Sequence, residues 1–247
     1  MLLSLPDAPA IVLVHSPLTD SRVWGGVPEL LKARGRTVIV VDVTQDNEPP
    51  FAAGFIGRAS IHISQVATKT HLTRLAFVAH SGAGPLLPHI GATQRAIGHS
   101  VTGYVLLDAM VPQPLGARGG NSRLDLLDAA DPTFADDLRT LLLDGGEYPN
   151  WSEADLADTI ADEGLRQTVI QSLHPRDLAW FAEPLPAYQD WPDAPVSYVQ
   201  TSAAYDWDAN QARLRGWLVE RHEGGHFAAL TNPEEIADTL TRLLTVD

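Results

Sequence analysis

Six short runs of apolar, largely β-branched residues recur along the chain, and they predict buried strands. In the first run, residues 10–14, every side chain is apolar. Continuous apolar runs of about four to eight residues are typical of strands covered on both faces, and such strands belong to parallel sheets. The runs lie at residues 10–14, 37–42, 75–79, 104–108, 196–200 and, more weakly, 217–220.

Helical spacing of apolar residues separates most of these runs. Residues 24–33 and 84–97 have this spacing, and Asn232, Pro233 and Glu235 have the residue types of a capped helix start. Alternating strands and helices predict an α/β fold, with a doubly wound, mostly parallel sheet of about six strands and helices on both faces. Ligands of such sheets bind at the carboxyl ends of the strands.

Residues 113–191 break this alternation. They contain helical periods and capping signals at residues 133–136 and 152–155, but no strand pattern. We therefore predict a helical cap at 113–191, inserted into a core formed by residues 1–112 and 192–247. The predicted cap is rich in aromatic residues, namely Trp151, Trp180, Phe181, Tyr188 and Trp191.

Charge and composition narrow the classes of function. Lys and Arg number 17 against 31 Asp and Glu, so the net charge is −14, which disfavours nucleic acid and anionic lipid as partners. The chain has no cysteine, which excludes disulfides, thiolate metal sites and a cysteine nucleophile. No signal-peptide pattern is visible at the N-terminus and no run approaches about 20 apolar residues, so we expect a cytoplasmic protein without a membrane partner.

A small-residue motif around Ser81 is the first candidate for chemistry. Residues 79–84 follow a predicted strand and open a predicted helix, which is the context of a nucleophile elbow. Ala79 and Ala83 replace the glycines of the usual G-x-S-x-G pattern. The alternative is that the Ser81 hydroxyl only caps the next helix.

His226 lies on a predicted loop after the last strand, at the sheet edge where a general base for Ser81 would have to be. Residues 222–226 also match the zinc-protease pattern H-E-x-x-H, which binds metal only when both histidines share one helix face. Gly224 and Gly225 disfavour a helix there, so we expect no metal site.

Taken together, these motifs resemble the α/β-hydrolase superfamily over nearly the whole chain. The resemblance implies a Ser-Asp-His hydrolase with a helical cap and no metal or organic cofactor. It is nearest to small actinobacterial-type members with a His-Ser-Pro-Leu oxyanion loop and a Ser-Gly-Ala-Gly elbow. The features that carry it are residues 15–18 with Trp24, the Ser81 elbow, residues 104–112, and residues 225–227 followed by 232–234.

The sequence departs from this family in two places. Residues 1–9 leave no room for the family's first two strands, so the sheet is expected to lack them. The usual first oxyanion donor, the N–H two residues after the loop histidine, would belong to Pro17, which has none. The predicted oxyanion hole therefore consists of the Gly82 N–H and a shifted donor, the Leu18 N–H.

The acid of the triad has two candidates. Alignment with the usual position after the seventh strand of the family gives Ala204, with Asp206 and Asp208 just beyond. Asp108 ends an earlier strand, at a position that other members use, and it is our choice. The alternative roles are a turn cap for Asp108 and a solvated loop residue or helix cap for Asp206. A third alternative is that no acid lies near His226, which would leave a dyad of Ser81 and His226.

The catalytic prediction is thus Ser81 as nucleophile, His226 as base and Asp108 as acid, with His15 and His80 only making backbone hydrogen bonds. An aromatic cap indicates a small apolar or aromatic ester, lactone or thioester as substrate. The alternatives are a lyase or cyclase that uses the same three residues, and a ligand-binding protein on this fold.

Overall fold

A six-stranded, entirely parallel sheet forms the centre of the computed structural model, which describes residues 8–43, 48–114 and 120–244. The strand order is β2-β1-β3-β4-β5-β6. The predicted fold class is therefore confirmed. The strands are β1 (Ala10–Val14), β2 (Val38–Val41), β3 (Arg74–Ser81), β4 (Ser100–Ala109), β5 (Val196–Gln200) and β6 (Leu218–Arg221).

Strands β1, β3, β4 and β5 are mostly buried on both faces, as their continuous apolar runs predict, whereas Leu218 of the edge strand β6 is exposed. In β1, Val12 and Val14 pack into one hydrophobic cluster, while Ile11 and Leu13 pack into another. Successive side chains of a strand point to opposite faces, so an all-apolar strand needs a cover on each side. Helices provide both covers.

The helices divide between the two faces. Those on the first face are α2 (Phe51–Lys69), α3 (Leu87–Ala96) and α9 (Asp206–Leu214), and those on the second include α1 (Val27–Ala33) and α11 (Pro233–Leu243). Of these, α2 was not identified in the sequence. Short 3₁₀ turns cover Ser21–Trp24, Gly84–Leu86 and Ala203–Tyr205, and α10 spans Ala228–Thr231.

Between β4 and β5 the described residues contain helices and no strand. These helices are α4 (Arg123–Ala130), α5 (Pro132–Leu143), α6 (Glu153–Leu156), α7 (Glu163–Ser172) and α8 (Leu178–Ala182). Leu124, Leu138 and Trp180 belong to a third hydrophobic cluster, which also includes Phe51. The division into a core and a cap at 113–191 stays a prediction, and part of that range, 115–119, lies outside the described residues.

The capping predictions had mixed outcomes. The capping box of Ser152 and Asp155 is confirmed. The helix start predicted at residues 133–136 lies slightly earlier in the chain. The N-cap of α5 is Asp131, whose side chain accepts from the Phe134 N–H. For α11, Asn232 is the N-cap residue and Pro233 begins the helix, as predicted, but the Asn232 side chain makes no capping bond.

Candidate active site

Ser81 stands at the end of β3, in a backbone conformation that side chains rarely adopt. Its φ is +57°, the left-handed value that a sharp strand-to-helix turn requires. Gly84 allows that turn to approach β4 closely, because a Cβ there would lie 2.0 Å from the Met110 carbonyl oxygen. Ser81 Oγ caps no helix, so the capping alternative was wrong.

Asp108 is held beside this turn by an irregularity in the sheet. Along the β3–β4 pairing His80 faces Leu107, whereas Ser81 faces Ala109, so Asp108 is an extra residue on β4. Its φ is +42° and its side chain is fully buried. Bulges of this kind redirect a side chain next to a functional site.

The Asp108 carboxylate accepts four hydrogen bonds. Oδ1 accepts from the N–H groups of Thr201 (2.9 Å) and Ser202 (3.1 Å), and Oδ2 accepts from Ser202 Oγ (2.6 Å) and His226 Nδ1 (2.9 Å). Burial alone would raise the pKa of Asp108, but the bonds from His226, Ser202 and Thr201 hold it below its ordinary value. Asp108 is therefore a charged acceptor for the imidazole, and it also caps the turn after β5.

His226 lies in the loop between β6 and α10, as predicted, and its side chain is about one-fifth exposed (21%). The His80 imidazole stacks on it at 4.5 Å between ring centroids and donates from Nε2 to the His226 carbonyl at 2.9 Å. Burial and then the nearby His226 hold the pKa of His80 far below its ordinary range, so His80 is neutral. Consistent with the prediction, His80 and His15 bond to backbone carbonyls.

Tyr205 is a site residue that the sequence reasoning missed. Its hydroxyl is 3.1 Å from Ser81 Oγ, and its ring lies parallel to that of His226, with 5.0 Å between the centroids and 8° between the planes. Among the hydrogen bonds of the described residues, none joins Ser81 to His226. The position of Tyr205 after β5, at the carboxyl edge of the sheet, was the available signal.

The predicted oxyanion loop has an unusual set of donors. Pro17 offers no N–H, and the Leu18 N–H donates to Ser16 Oγ at 3.2 Å. Leu18, Gly82 and Ser81 line the same cavity. The roles of Gly82 and Leu18 as oxyanion donors stay predictions.

The alternative acid, Asp206, points elsewhere. Its side chain is 63% exposed and contacts Arg221 at 3.4 Å and the Gln200 amide. The H-E-x-x-H segment is not helical, because Gly224 and Gly225 adopt positive φ after β6. Across residues 8–43, 48–114 and 120–244, no cluster of three or more His, Asp or Glu side chains is arranged to hold a metal ion.

A cavity of about 830 Å³ opens over Ser81 and His226. Aromatic rings line it, and they contact one another edge to face from Phe134 through Tyr148 and Trp151 to Phe227. Arg123 also reaches the lining, but it is buried beside Glu183 and lies over the Trp180 ring at 3.7 Å. The site therefore combines a mostly apolar chamber with the polar side chains of Ser81 and His226.

Asp208 is a buried carboxyl group on the wall of this cavity. Its Oδ1 accepts from the Val111 N–H at 2.7 Å. Burial, and then the neighbouring Asp108 carboxylate, raise its pKa from 3.8 to about 7, against the lowering effect of the Val111 bond. The folded protein thus holds a proton on Asp208 at pH values where the unfolded chain releases it, and stability should fall as the pH rises between about 4 and 7.

Asp208→Asn should remove this pH-dependent loss while keeping an acceptor for Val111. The compared quantity is the unfolding free energy of the variant minus that of wild type. We expect this difference to increase by about 1 kcal/mol or more between pH 5 and pH 8. Calorimetric unfolding at several pH values measures it, with Asp206→Asn as the exposed control. A difference that stays constant or shrinks with pH would show that Asp208 is ionised in the folded protein like any surface carboxylate.

Comparison with known proteins fits this geometry. The family model described as "Alpha/beta hydrolase family" matches residues 11–239. The chain belongs to this family. No curated protein matches its sequence.

Solved structures with the same fold resemble this hydrolase-family chain at low identity. An extracellular α/β-hydrolase from a Paenibacillus species is 16% identical, with a TM-score of 0.67 over 95% of this chain and 98% of that one. Polyneuridine aldehyde esterase is 15% identical, with a TM-score of 0.69 over 97% and 100% of the two chains. A pyrethroid hydrolase from Sphingobium faniae is 14% identical, with a TM-score of 0.62 over 96% and 97%. At these identities the likeness establishes the fold.

No described helix of this family member is both long and apolar enough to cross a membrane.

Proposed function

We propose that the protein is a serine hydrolase that cleaves a small apolar or aromatic ester, lactone or thioester through an acyl-enzyme. The observation that carries this proposal is the 2.9 Å hydrogen bond between Asp108 and His226, next to a serine on a strained elbow. A buried carboxylate that fixes the imidazole tautomer is what a serine needs in order to lose its proton.

In the proposed reaction, Ser81 Oγ attacks the carbonyl carbon while its proton moves to His226 Nε2. Asp108 holds the imidazolium through Nδ1 and stays charged, in keeping with its lowered pKa. The Gly82 N–H donates to the developing oxyanion, and the Leu18 N–H, which donates to Ser16 Oγ in the free enzyme, is the shifted second donor. His226 then protonates the leaving oxygen or sulfur. A water molecule gives a proton to His226 as it attacks the acyl carbon, and His226 returns a proton to Ser81 Oγ as the acid is released. Catalytic hydrogen bonds are often long in free enzymes, and the Ser81 hydroxyl has to direct its proton toward His226 while Oγ keeps its contact with Tyr205.

The substrate class follows from the chamber. Most of its lining is apolar and aromatic, so burial of an apolar acyl or alcohol group supplies the binding free energy. The proposed partner is therefore a small molecule. The printed names of the structural neighbours include an esterase and a pyrethroid hydrolase, which agrees with ester chemistry in general.

Burst kinetics test the proposal. Mixing the enzyme with excess p-nitrophenyl butyrate should release p-nitrophenol rapidly in an amount close to the enzyme concentration, followed by slower turnover, if deacylation limits the rate. Esters with different alcohols but one acyl group should then share a single steady-state rate, because they form the same acyl-enzyme. Ester turnover that is absent, or that never passes through a covalent adduct, would reject the proposal.

The loss of the N–H at Pro17 favours one second candidate, a lyase or cyclase that uses Ser81, Asp108 and His226 for proton transfer alone. Such a reaction depends less on an oxyanion hole. The two candidates differ in the covalent adduct, which only the hydrolase forms.

Trp151 should control substrate choice. It lines the cavity and contacts Phe227 and Tyr148 edge to face at 5.8 and 5.6 Å. We expect Trp151→Ala to shift the preference in kcat/KM between short and long or aromatic acyl chains by about tenfold, since a large apolar wall is removed. An ester panel measures this.

Trp217→Ala is the matched control, because Trp217 packs on Trp191 and does not line the cavity. Trp180→Ala is a poorer probe, since Trp180 is buried and holds Arg123. An unchanged preference in Trp151→Ala would mean that substrates do not contact this wall.

A further inference from the structure

Tyr205 touches both proposed reacting side chains, although it belongs to neither the predicted triad nor the predicted oxyanion hole. Its hydroxyl is within hydrogen-bond distance of Ser81 Oγ, at 3.1 Å. Its ring lies flat against His226, whose other ring neighbour in a stacked arrangement is His80. The phenol is half-buried and lines the cavity.

The predicted oxyanion hole is short of hydrogen-bond donors. Pro17 has no N–H, and the Leu18 N–H is engaged by Ser16 Oγ. The Gly82 N–H is then the one uncommitted amide among the predicted donors. Removal of one oxyanion donor from a serine hydrolase lowers kcat by about 10²–10³-fold. A site of this design therefore gains much from a donor placed elsewhere.

We infer that the Tyr205 hydroxyl is a catalytic hydrogen-bond donor that supplies this missing interaction. The inference rests on the proposed acyl-enzyme reaction. Before attack, the O–H donates to Ser81 Oγ and leaves the serine proton free for His226. As the bond from Oγ to the carbonyl carbon forms, the carbonyl electron pair moves onto its oxygen, and the Tyr205 O–H stabilises the negative charge of the tetrahedral intermediate. Tyr205 keeps its own proton throughout.

The surroundings of Tyr205 suit a donor that never ionises. Burial raises its pKa above the ordinary value, the Ser81 bond opposes this, and the Asp108 and Asp208 carboxyl groups raise it further. A phenolate next to these groups is disfavoured, so Tyr205 carries its proton over the working pH range. It can donate a hydrogen bond, but it does not compete with His226 as a base.

Tyr205→Phe separates the hydroxyl from the ring, because phenylalanine preserves the stack on His226. The control is Tyr188→Phe, which also deletes one tyrosine hydroxyl. That hydroxyl donates to the Pro112 carbonyl at 3.2 Å, and Tyr188 does not line the cavity. The probe is phenylboronic acid. Ser81 Oγ would add to its boron atom while His226 takes the serine proton, which gives a tetrahedral, negatively charged adduct.

We expect Tyr205→Phe to weaken phenylboronic acid binding at least about tenfold and to lower kcat for p-nitrophenyl butyrate about 10- to 100-fold, with KM within about threefold. Tyr188→Phe should leave both quantities within about twofold. If Tyr205 had only a structural role, Tyr205→Phe would lower the melting temperature, and kcat would not fall while KM stayed nearly constant.

Wild-type affinity and wild-type kcat in Tyr205→Phe would overturn the inference and leave the proposed function intact. If wild type itself formed no boronate adduct and cleaved no ester, the proposed function would fall and this inference with it.

Discussion

Ser81→Ala is expected to lower ester hydrolysis by about 10⁴-fold or more, with the fold unchanged. The substitution removes the oxygen that would form the acyl bond, whereas binding and electrostatic contributions from the rest of the site remain. Alanine keeps the Cβ at the elbow, so the strain at φ +57° is the same in both proteins. The melting temperature should change by no more than about 2 °C. Steady-state hydrolysis and thermal unfolding of the purified variant measure both quantities.

A suitable control is Ser100→Ala, which removes an exposed serine hydroxyl at the start of β4. It should hydrolyse esters like wild type. Turnover by Ser81→Ala at the wild-type rate would eliminate acyl-enzyme chemistry at this residue, and an acid/base reaction or a binding role would replace it.

Asp108→Asn is expected to cost at least about 100-fold in rate. The Nδ2 group of asparagine would face His226 Nδ1 and Ser202 Oγ, where the carboxylate now accepts two hydrogen bonds. His226 would then turn to the tautomer that carries its proton on Nε2 and could not receive the serine proton. In a serine protease the equivalent change costs about 10⁴-fold. Measured kcat/KM, with circular dichroism to verify folding, gives the result.

Asp206→Asn is the matched control, because it neutralises an aspartate that is 63% exposed and contacts Arg221 and Gln200. A pair of exposed charges contributes little, so we expect a change of less than about tenfold. The opposite ranking of the two variants would assign the role of the acid to Asp206, at the start of α9. Two variants with nearly wild-type rates would indicate a Ser-His dyad.

Much of the scaffold could be predicted because it depends on local patterns. The apolar runs located all six strands of the sheet, since a strand covered on both faces has to be apolar at successive positions. The small residues around Ser81 indicated the elbow, because the close approach of Gly84 to β4 leaves no room for a Cβ. Asp108 was chosen from its place at the end of a strand, and the structure puts it one hydrogen bond from His226.

What the sequence did not reveal depends on contacts between distant residues. The bond between Ser81 and Tyr205 joins positions 124 residues apart, and no local pattern encodes it. The helix start at Asn232 and Pro233 could be predicted, but the capping role of Glu235 could not, since Glu235 binds His222 rather than the helix N-terminus. In α2, by contrast, Phe51, Phe55 and Ala59 are buried at intervals of one helical turn, a pattern that the sequence did contain.

The most direct test of the account is whether Ser81 is an activated nucleophile. The protein is treated with a fluorophosphonate, its intact mass is measured, and the modified peptide is identified. We expect one adduct per chain, located on Ser81 and missing in Ser81→Ala, because only a serine deprotonated by a neighbouring base reacts rapidly at neutral pH. No adduct on wild type, or an adduct that Ser81→Ala retains, would contradict the account.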